Sequence, residues 1–110
     1  MNKYIVILTS TDNKDNATLI ANNLVDNHLA ACVQITKGIA IYNYNNKKET
    51  TKEYLLTIKT RKSLYKIVEN KIKEYHIDKL PEIISYDITN ISDDYAKWID
   101  ENTKEELKWI

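Results

Sequence analysis

The sequence predicts a single α+β domain over residues 1–110, in which two helices cover one face of an antiparallel sheet. Three observations predict it. The chain has 110 residues, which is the length of one domain. Hydrophobic residues make up 43% of it and charged residues 29%, as in ordinary globular chains. Short β-branched runs alternate with two stretches of helical periodicity, in the order β-α-β-β-α-β.

The first strand and the first helix are predicted near the start of the chain. The run YIVIL, residues 4–8, is short and β-branched and is closed by polar residues, which indicates a buried strand. Asp12 or Asn13 is placed to cap the following helix, from whose apolar face Asn16 turns away. That face consists of Ala17, Ile20, Ala21, Leu24, Val25 and His28. His28 is therefore interpreted as a helix-end residue that covers the core.

A long hairpin is predicted next. Residues 31–44 are rich in Val, Ile, Thr and Tyr and lack helical periodicity, so they are expected to form a long strand. Gly38 in its middle suggests a bulge or a bend. Residues 43–49 are polar and turn-like, and residues 53–60, EYLLTIKT, return as the second strand of the hairpin.

The second half of the chain repeats a helix and a strand. Ser63 precedes a second helical stripe, formed by Leu64, Ile67, Val68, Ile72 and Tyr75. After Leu80-Pro81, residues 82–88 are expected to form a fourth strand. Asp93 and Asp94 open a last helix, and the terminal Leu107, Trp109 and Ile110 are apolar enough to dock. Two βαβ units joined by a hairpin, with this C-terminal helix, give the ferredoxin-like sandwich.

The length of the hairpin predicts self-association. A strand over residues 31–44 would be about 45 Å long at about 3.3 Å per residue. A compact domain of this size has a diameter of only about 35 Å. The ribbon should therefore overhang its own sheet and expose apolar side chains, which are Ile39, Ile41, Tyr42 and Tyr44. Pairing with a neighbouring subunit covers them, so a homo-oligomer is expected.

Composition excludes several function classes. Sixteen Lys and Arg balance sixteen Asp and Glu, so the broad basic field of a nucleic-acid or anionic-membrane binder is absent. The predicted central strands also lack an aromatic platform for RNA. No apolar run approaches the roughly 18 residues of a membrane span. A single cysteine excludes an intrachain disulfide, and the chain opens without a secretory signal, so a cytoplasmic protein is expected.

The residue pattern by itself yields no catalytic constellation, and the protein is expected not to be an enzyme. Cys32, the only thiol, is interpreted first as a small core residue, with metal binding as the alternative. His76 follows the second helix, where a histidine interacts favourably with the last carbonyls. Its functional interpretation is a ligand or proton carrier next to Glu82. The stretch Lys59–Lys62 is either an anion site at a helix start or a solvated turn.

Several segments taken together resemble the CutA divalent-cation-tolerance family. These are LAACVQI at residues 29–35 followed by Gly38 and AIY, then LLTIKT at residues 55–60. His76 with Leu80-Pro81-Glu82-Ile83-Ile84, and the segment Tyr95-Ala96-Lys97-Trp98-Ile99, continue the match. The resemblance is colinear and covers essentially the whole chain.

The resemblance implies a ferredoxin-like fold assembled as a trimer, similar to the PII signalling proteins. It also implies a cleft between subunits, with a link to copper or another divalent metal. The residues that map to this cleft are Tyr42, Lys59, Thr60, His76, Glu82 and Trp98. The candidate metal ligands among the mapped and neighbouring residues are His76, Cys32 and Glu82, and copper suits imidazole and thiolate ligands.

Three functional hypotheses follow from the resemblance. The first is a trimeric, metal-linked binding or regulatory protein with copper in clefts between subunits. The second is a PII-type sensor of a small anionic metabolite, with Lys59 as the charge partner and His76 and Glu82 as polar contacts. The third is a structural trimer that presents surfaces to a partner and holds no ligand.

Overall fold

The computed structural model describes residues 2–104 and confirms the predicted order of elements. The elements are β1 (Tyr4–Thr11), α1 (Lys14–Asp26), β2 (Cys32–Tyr44), β3 (Lys47–Arg61), α2 (Tyr65–Tyr75, entered through a 3-10 turn at Lys62–Leu64), β4 (Ile84–Asp87) and α3 (Asp93–Glu101). The terminal apolar residues expected to dock, Leu107, Trp109 and Ile110, lie outside the described residues. Among the described helices none is long and apolar enough to span a bilayer.

The four strands form one antiparallel sheet in the order β2-β3-β1-β4. The two predicted central strands, β1 and β3, are therefore central. They pair from Tyr4 opposite Arg61 to Thr11 opposite Tyr54. The fourth strand is shorter than predicted because its pairing with β1 runs only from Ile5 opposite Asp87 to Leu8 opposite Ile84. β4 and β2 are thus the two edges of the sheet.

Helices α1 and α2 cover one face of the sheet. Alternate residues of β1 and β3 point into this layer and are buried, among them Ile5, Ile7, Leu56 and Ile58. The helices contribute the other half of the core, which includes Ala17, Ile20, Leu24, Leu64, Val68 and Ile72. We call the opposite side of the sheet, where Val6, Leu8 and Ser10 point, the open face. Helix α3 contacts β3, and its Ile99 is fully buried.

The hairpin of β2 and β3 extends past the rest of the sheet, as predicted. β3 pairs with β1 only from Tyr54 onwards, so residues 47–53 pair with β2 alone. The molecule is accordingly 44 Å long but only 30 Å and 22 Å in its other dimensions. Ile39 and Ile41 on this overhanging ribbon are 71% and 67% exposed. Within the described chain nothing covers these two side chains.

The bulge predicted at Gly38 is wrong. β2 and β3 pair residue by residue without an interruption from Cys32 opposite Lys59 to Tyr44 opposite Lys47, and Gly38 faces Glu53 in that register. Gly38 does not adopt a positive φ. The ladder stays regular because the strand overhangs in free space, where nothing forces it to bend.

The turn of the hairpin is also tighter than the polar stretch suggested. It consists of Asn45 and Asn46 alone, which both adopt left-handed φ values of 52° and 62°. Two successive left-handed residues form the hairpin turn whose twist matches that of the flanking strands. Asparagine tolerates this conformation better than most residues, so the local sequence suits the turn.

This geometry makes a prediction at Asn46. Asn46→Val is expected to lower the free energy of unfolding by about 1–2 kcal/mol, because a β-branched residue is strained at a left-handed φ. Asn46→Gly should leave stability unchanged or slightly raised, since Asn-Gly is the preferred pair in this turn. Urea unfolding of the two variants measures the difference. Equal stability of Val and Gly at this position would contradict the turn.

Helix α1 differs from its predicted face at three residues, of which Val25 is 40% exposed. The helix ends at Asp26, and the chain reverses at His28, which has a φ of 56°. His28 is therefore exposed, and Leu29 is buried in place of it, which corrects the prediction that His28 covers the core. At the other end Asn13 caps the helix, as predicted, by accepting a hydrogen bond from the N–H of Asn16. Asn16 itself is buried, whereas the sequence placed it outside.

Candidate functional site

His76 is buried at the end of α2, and both of its ring nitrogens are engaged. Nε2 lies 2.7 Å from the carbonyl oxygen of Ser10, and Nδ1 lies 3.0 Å from the backbone nitrogen of Asp78. A carbonyl only accepts a hydrogen bond and a backbone N–H only donates one. The ring is therefore neutral, with its proton on Nε2 and the lone pair of Nδ1 pointing at Asp78. Only 9% of the residue is exposed.

Glu82 is held at the same strand end as His76. The hydroxyl of Ser10 donates a hydrogen bond to Oε1 of Glu82 at 3.2 Å, while the carbonyl of Ser10 takes the bond from His76. Ser10 lies beyond Leu8, where the pairing of β1 with β4 stops. One residue of β1 thus anchors both ends of the loop 77–82. Glu82 remains exposed, so its carboxylate is accessible at the open face.

Asn16 secures the chain on both sides of His76. Its side-chain nitrogen donates to the carbonyl of Tyr75 at 2.8 Å, and its oxygen accepts from the N–H of Ile77 at 3.4 Å. This accounts for the burial of Asn16, since a polar side chain tolerates burial when its hydrogen bonds are made. The loop after α2 is therefore tied to α1 as well as to β1.

Lys59 and Cys32 lie at a different corner of the open face. They are directly opposite each other in the β2–β3 pair, so their side chains leave the same face of the sheet. The ammonium of Lys59 is 5.8 Å from the ring centre of Tyr95. Tyr95 in turn packs on Trp98 with ring centres 5.4 Å apart. Trp98 is 40% exposed, and together these side chains make a half-open aromatic patch with one cation.

The predicted metal ligands do not converge in one protomer. Cys32 lies opposite Lys59, and Lys59 lies opposite Val6, whereas His76 and Glu82 contact Ser10. From the register, these positions are separated by about 13 Å along the strands and about 10 Å across them. Within residues 2–104 no group of three His, Cys, Asp or Glu side chains is placed to hold a metal ion. The set His76, Cys32 and Glu82 therefore does not fit a metal within a single chain.

The other predicted cleft residues are divided between faces. Thr60 is fully buried on the helix side of the sheet, where its hydroxyl donates to the carbonyl of Leu29 at 2.7 Å. Within one chain its side chain therefore points away from that of Lys59, because consecutive strand residues point to opposite faces. Tyr42 lies on the overhanging ribbon opposite Glu49 and is 42% exposed. It joins neither of the two clusters within the protomer.

At the junction between β3 and α2, the side chains of Arg61 and Lys62 bind other residues of the same chain. Arg61 donates from Nε to the hydroxyl of Thr103 at 2.7 Å and lies 3.6 Å from the carboxylate of Asp100. Lys62 pairs with Asp87 at 3.1 Å. A cavity of about 300 Å³ adjoins these groups and is lined by Lys3, Tyr4, Arg61, Lys62, Ser63 and Asp100. The solvated, structural interpretation of this stretch therefore accounts for it better than an anion site does.

Tyr4 makes a pH-dependent contribution at this junction. Burial, and then the hydrogen bond from its hydroxyl to Asp100, raise the pKa of Tyr4 above its ordinary 10.0. The folded state thus favours the neutral phenol. Its contribution to stability is complete below pH 10.0 and is lost as the pH rises through the raised pKa. In an ultraviolet tyrosinate titration, Tyr4→Phe should remove a late-titrating group, and an unchanged late phase would contradict this.

Sequence reasoning missed Ser10 and Asn16. Both are short polar residues next to apolar runs, where caps and turns are the ordinary interpretation. Their partners lie 66 and 59 residues away along the chain. The one local signal was the position of Asn16 four residues before Ile20, which puts it beside the apolar face of the helix. It indicates a buried polar group that needs a partner, but not which partner.

Sequence comparison shows that residues 5–102 match the model of a known protein family. These residues match the family model described as CutA1 divalent ion tolerance protein. The chain is 36% identical over 101 residues to the chloroplastic protein CutA of Arabidopsis thaliana, covering 91% of this chain but 56% of that protein. It is 32% identical over 100 residues to the divalent-cation tolerance protein CutA of Pyrococcus horikoshii, covering 91% of this chain and 98% of that one.

The fold agrees with a solved structure of a CutA1 protein. The crystal structure of CutA1 from Oryza sativa superimposes with a TM-score of 0.91 at 31% identity, covering 94% of this chain and 96% of that chain. The ferredoxin-like arrangement with an extended hairpin and a C-terminal helix, predicted from the sequence, is thereby confirmed.

Proposed function

The chain belongs to the CutA1 divalent ion tolerance protein family, and from that premise we propose that it binds a divalent metal ion between the subunits of a homotrimer. The proposal joins the family's divalent-cation description to the geometry of this chain. It takes copper as the first candidate metal, because a site containing a thiolate favours copper or zinc over magnesium or calcium.

One observation carries this proposal: the accessible candidate ligands sit at opposite edges of the sheet. Cys32 begins β2, one edge strand, and is half-buried without a disulfide partner. Glu82 lies two residues before β4, the other edge strand, and is exposed. A single chain holds them apart, but a head-to-tail contact between chains brings one edge of a protomer against the other edge of the next. Such a contact forms a ring when its rotation closes.

The exposed surface of the protomer supports the same assembly. The open face carries Ile84 at 52% and Tyr86 at 53% exposure on the β4 edge. The overhanging ribbon carries Ile39, Ile41 and Tyr44, which are each more than half exposed. Large apolar side chains grouped at both edges are typical of a protein–protein interface. Covering them with neighbouring copies removes both the exposed apolar surface and the unpaired strand edges.

Metal titration tests the proposal. Calorimetry on tag-free protein, with copper and with redox-inert zinc as separate probes, should give one site per subunit. Cys32→Ser and Glu82→Gln should each abolish this binding and leave the mass of the assembly unchanged. Lys97→Gln, at an exposed position on α3, is the matched control and should bind as wild type does. Absence of metal binding by the wild-type assembly would overturn the proposal.

A second candidate function is the sensing of a small anionic metabolite. It is favoured by Lys59, whose ammonium lies beside the half-exposed aromatic patch of Tyr95 and Trp98. A cation next to stacked rings suits a ligand with both a planar and an anionic part. This candidate predicts thermal stabilisation by a metabolite with metal removed, and loss of that stabilisation in Lys59→Gln.

We also propose that the protein acts by binding and not by catalysis, in the cytoplasm. Support for binding comes from the strand end that holds a serine, a histidine and a carboxylate. Nε2 of His76 contacts the carbonyl of Ser10, whereas the hydroxyl of Ser10 donates to Glu82. A serine nucleophile needs its hydroxyl, and not its carbonyl, in contact with the base. The arrangement therefore lacks the contact that activates a nucleophile.

A further inference from the structure

We infer that His76 is a positioning residue for the ligand site and not a metal ligand: it fixes the loop 77–82 on Ser10 and thereby holds the Glu82 carboxylate in place. The inference rests on the proposed function, since it assigns a role within that site. It assigns different roles to His76 and Glu82, although the two are neighbours in space. Both side chains contact Ser10, His76 through the carbonyl and Glu82 through the hydroxyl.

The hydrogen bonds of His76 leave it no free donor atom for a metal. A metal binds a ring nitrogen through its lone pair, and the lone pair of Nδ1 accepts the bond from Asp78 at 3.0 Å. Nε2 carries the proton and donates to Ser10 at 2.7 Å. Metal binding would require the buried ring to leave this position. It would then leave a backbone N–H and a carbonyl without these partners, which is costly in a buried setting.

The same bonds explain how His76 acts on Glu82. The loop 77–82 leaves α2 at His76 and reaches the sheet next to Glu82, and both ends bind one residue of β1. Its middle makes no comparable attachment among the described contacts, and Leu80 there is 87% exposed. The anchor at His76, reinforced by Asn16 at Ile77, therefore sets where the chain re-enters the sheet and where the carboxylate points. Groups that orient a ligand contribute to metal affinity without touching the metal.

Substitutions at His76 separate the two roles. His76→Ala removes both bonds and should weaken zinc binding by about 10–100-fold, as loss of an orienting partner does. The amide of His76→Gln can still donate to the carbonyl of Ser10 but is a poor metal ligand, so binding should return close to the wild-type value. If His76 is a ligand, Gln should be as defective as Ala, and this result would overturn the inference.

A measurement on the wild-type protein makes the test independent of how the variants fold. Nitrogen NMR of labelled histidine should show the neutral form of His76 with its proton on Nε2, before and after saturation with zinc. A large zinc-dependent shift of either ring nitrogen would assign His76 as a ligand and overturn the inference, while the proposed metal-binding function would stand. If the wild-type assembly binds no zinc or copper, the proposed function and this inference both fall.

Discussion

Replacing Ile39 and Ile41 together with lysine is expected to convert the assembled protein into folded monomers. The two side chains are 71% and 67% exposed and lie on the ribbon beyond the last residue that pairs with β1. Lysine there costs the protomer little, because it buries no charge in the isolated chain. In an assembly the same positions are covered, and burying two unpaired ammonium groups is strongly unfavourable. Light scattering after size exclusion, with circular dichroism on the same samples, measures both properties.

The matched control is Leu19→Lys. Leu19 is a comparably exposed apolar residue, at 49%, but it lies on α1, on the far side of the sheet from the open face. It should retain the wild-type mass. A double ribbon variant that stays trimeric, or a Leu19→Lys variant that dissociates, would show that the hairpin does not form the subunit contact.

The largest loss of stability is expected from Ile58→Ala. Ile58 is fully buried in β3, paired with Val33 on one side and Ile7 on the other, and it faces both helices. Truncating it should lower the free energy of unfolding by about 2–5 kcal/mol, from lost burial and from the cavity that remains. Ile58→Val, which removes a single methylene, should cost about 0.5–1.5 kcal/mol.

Urea unfolding at several protein concentrations measures this loss apart from the contribution of assembly. A cost below that of the valine variant would place Ile58 outside the core and contradict the register of β3.

The fold could be predicted from the sequence because its signals are local. The stripe from Ala17 to Leu24 and the cap at Asn13 define α1, and the β-branched runs define the central strands. The lengths of the strands were harder to predict. β1 continues to Thr11, beyond the apolar run, because Thr9 and Thr11 are buried against the helices, where small β-branched residues pack well.

The candidate site could be predicted only as a set of residues, and not as an arrangement. The chemistry of Cys32, His76 and Glu82 singled them out as metal ligands, but a sequence does not show which lone pairs are already in use. His76 was expected to interact with the last carbonyls of its own helix. Its strongest contact is instead the carbonyl of Ser10, 66 residues away and on another element. The sequence also did not show that the side chains of Thr60 and Lys59 point to opposite faces of the sheet, since that depends on which residues form the strand.

The central claim is that the site is built from two chains, with Cys32 of one and Glu82 of the next. Mixed assemblies test it most directly. Chains carrying Cys32→Ser and chains carrying Glu82→Gln are co-expressed with different tags, and trimers that contain both are isolated and titrated with zinc. In a closed ring of three, any mixture of these chains places one intact cysteine next to one intact glutamate at a single interface.

The two variants prepared separately should bind no zinc, and the mixed trimers should recover about one site each, against about three in the wild type. Mixed trimers that bind no zinc, while the wild type binds it, would show that both ligands come from one chain, and single variants that bind zinc as the wild type does would show that neither residue is a ligand. Either finding would contradict a site shared between subunits.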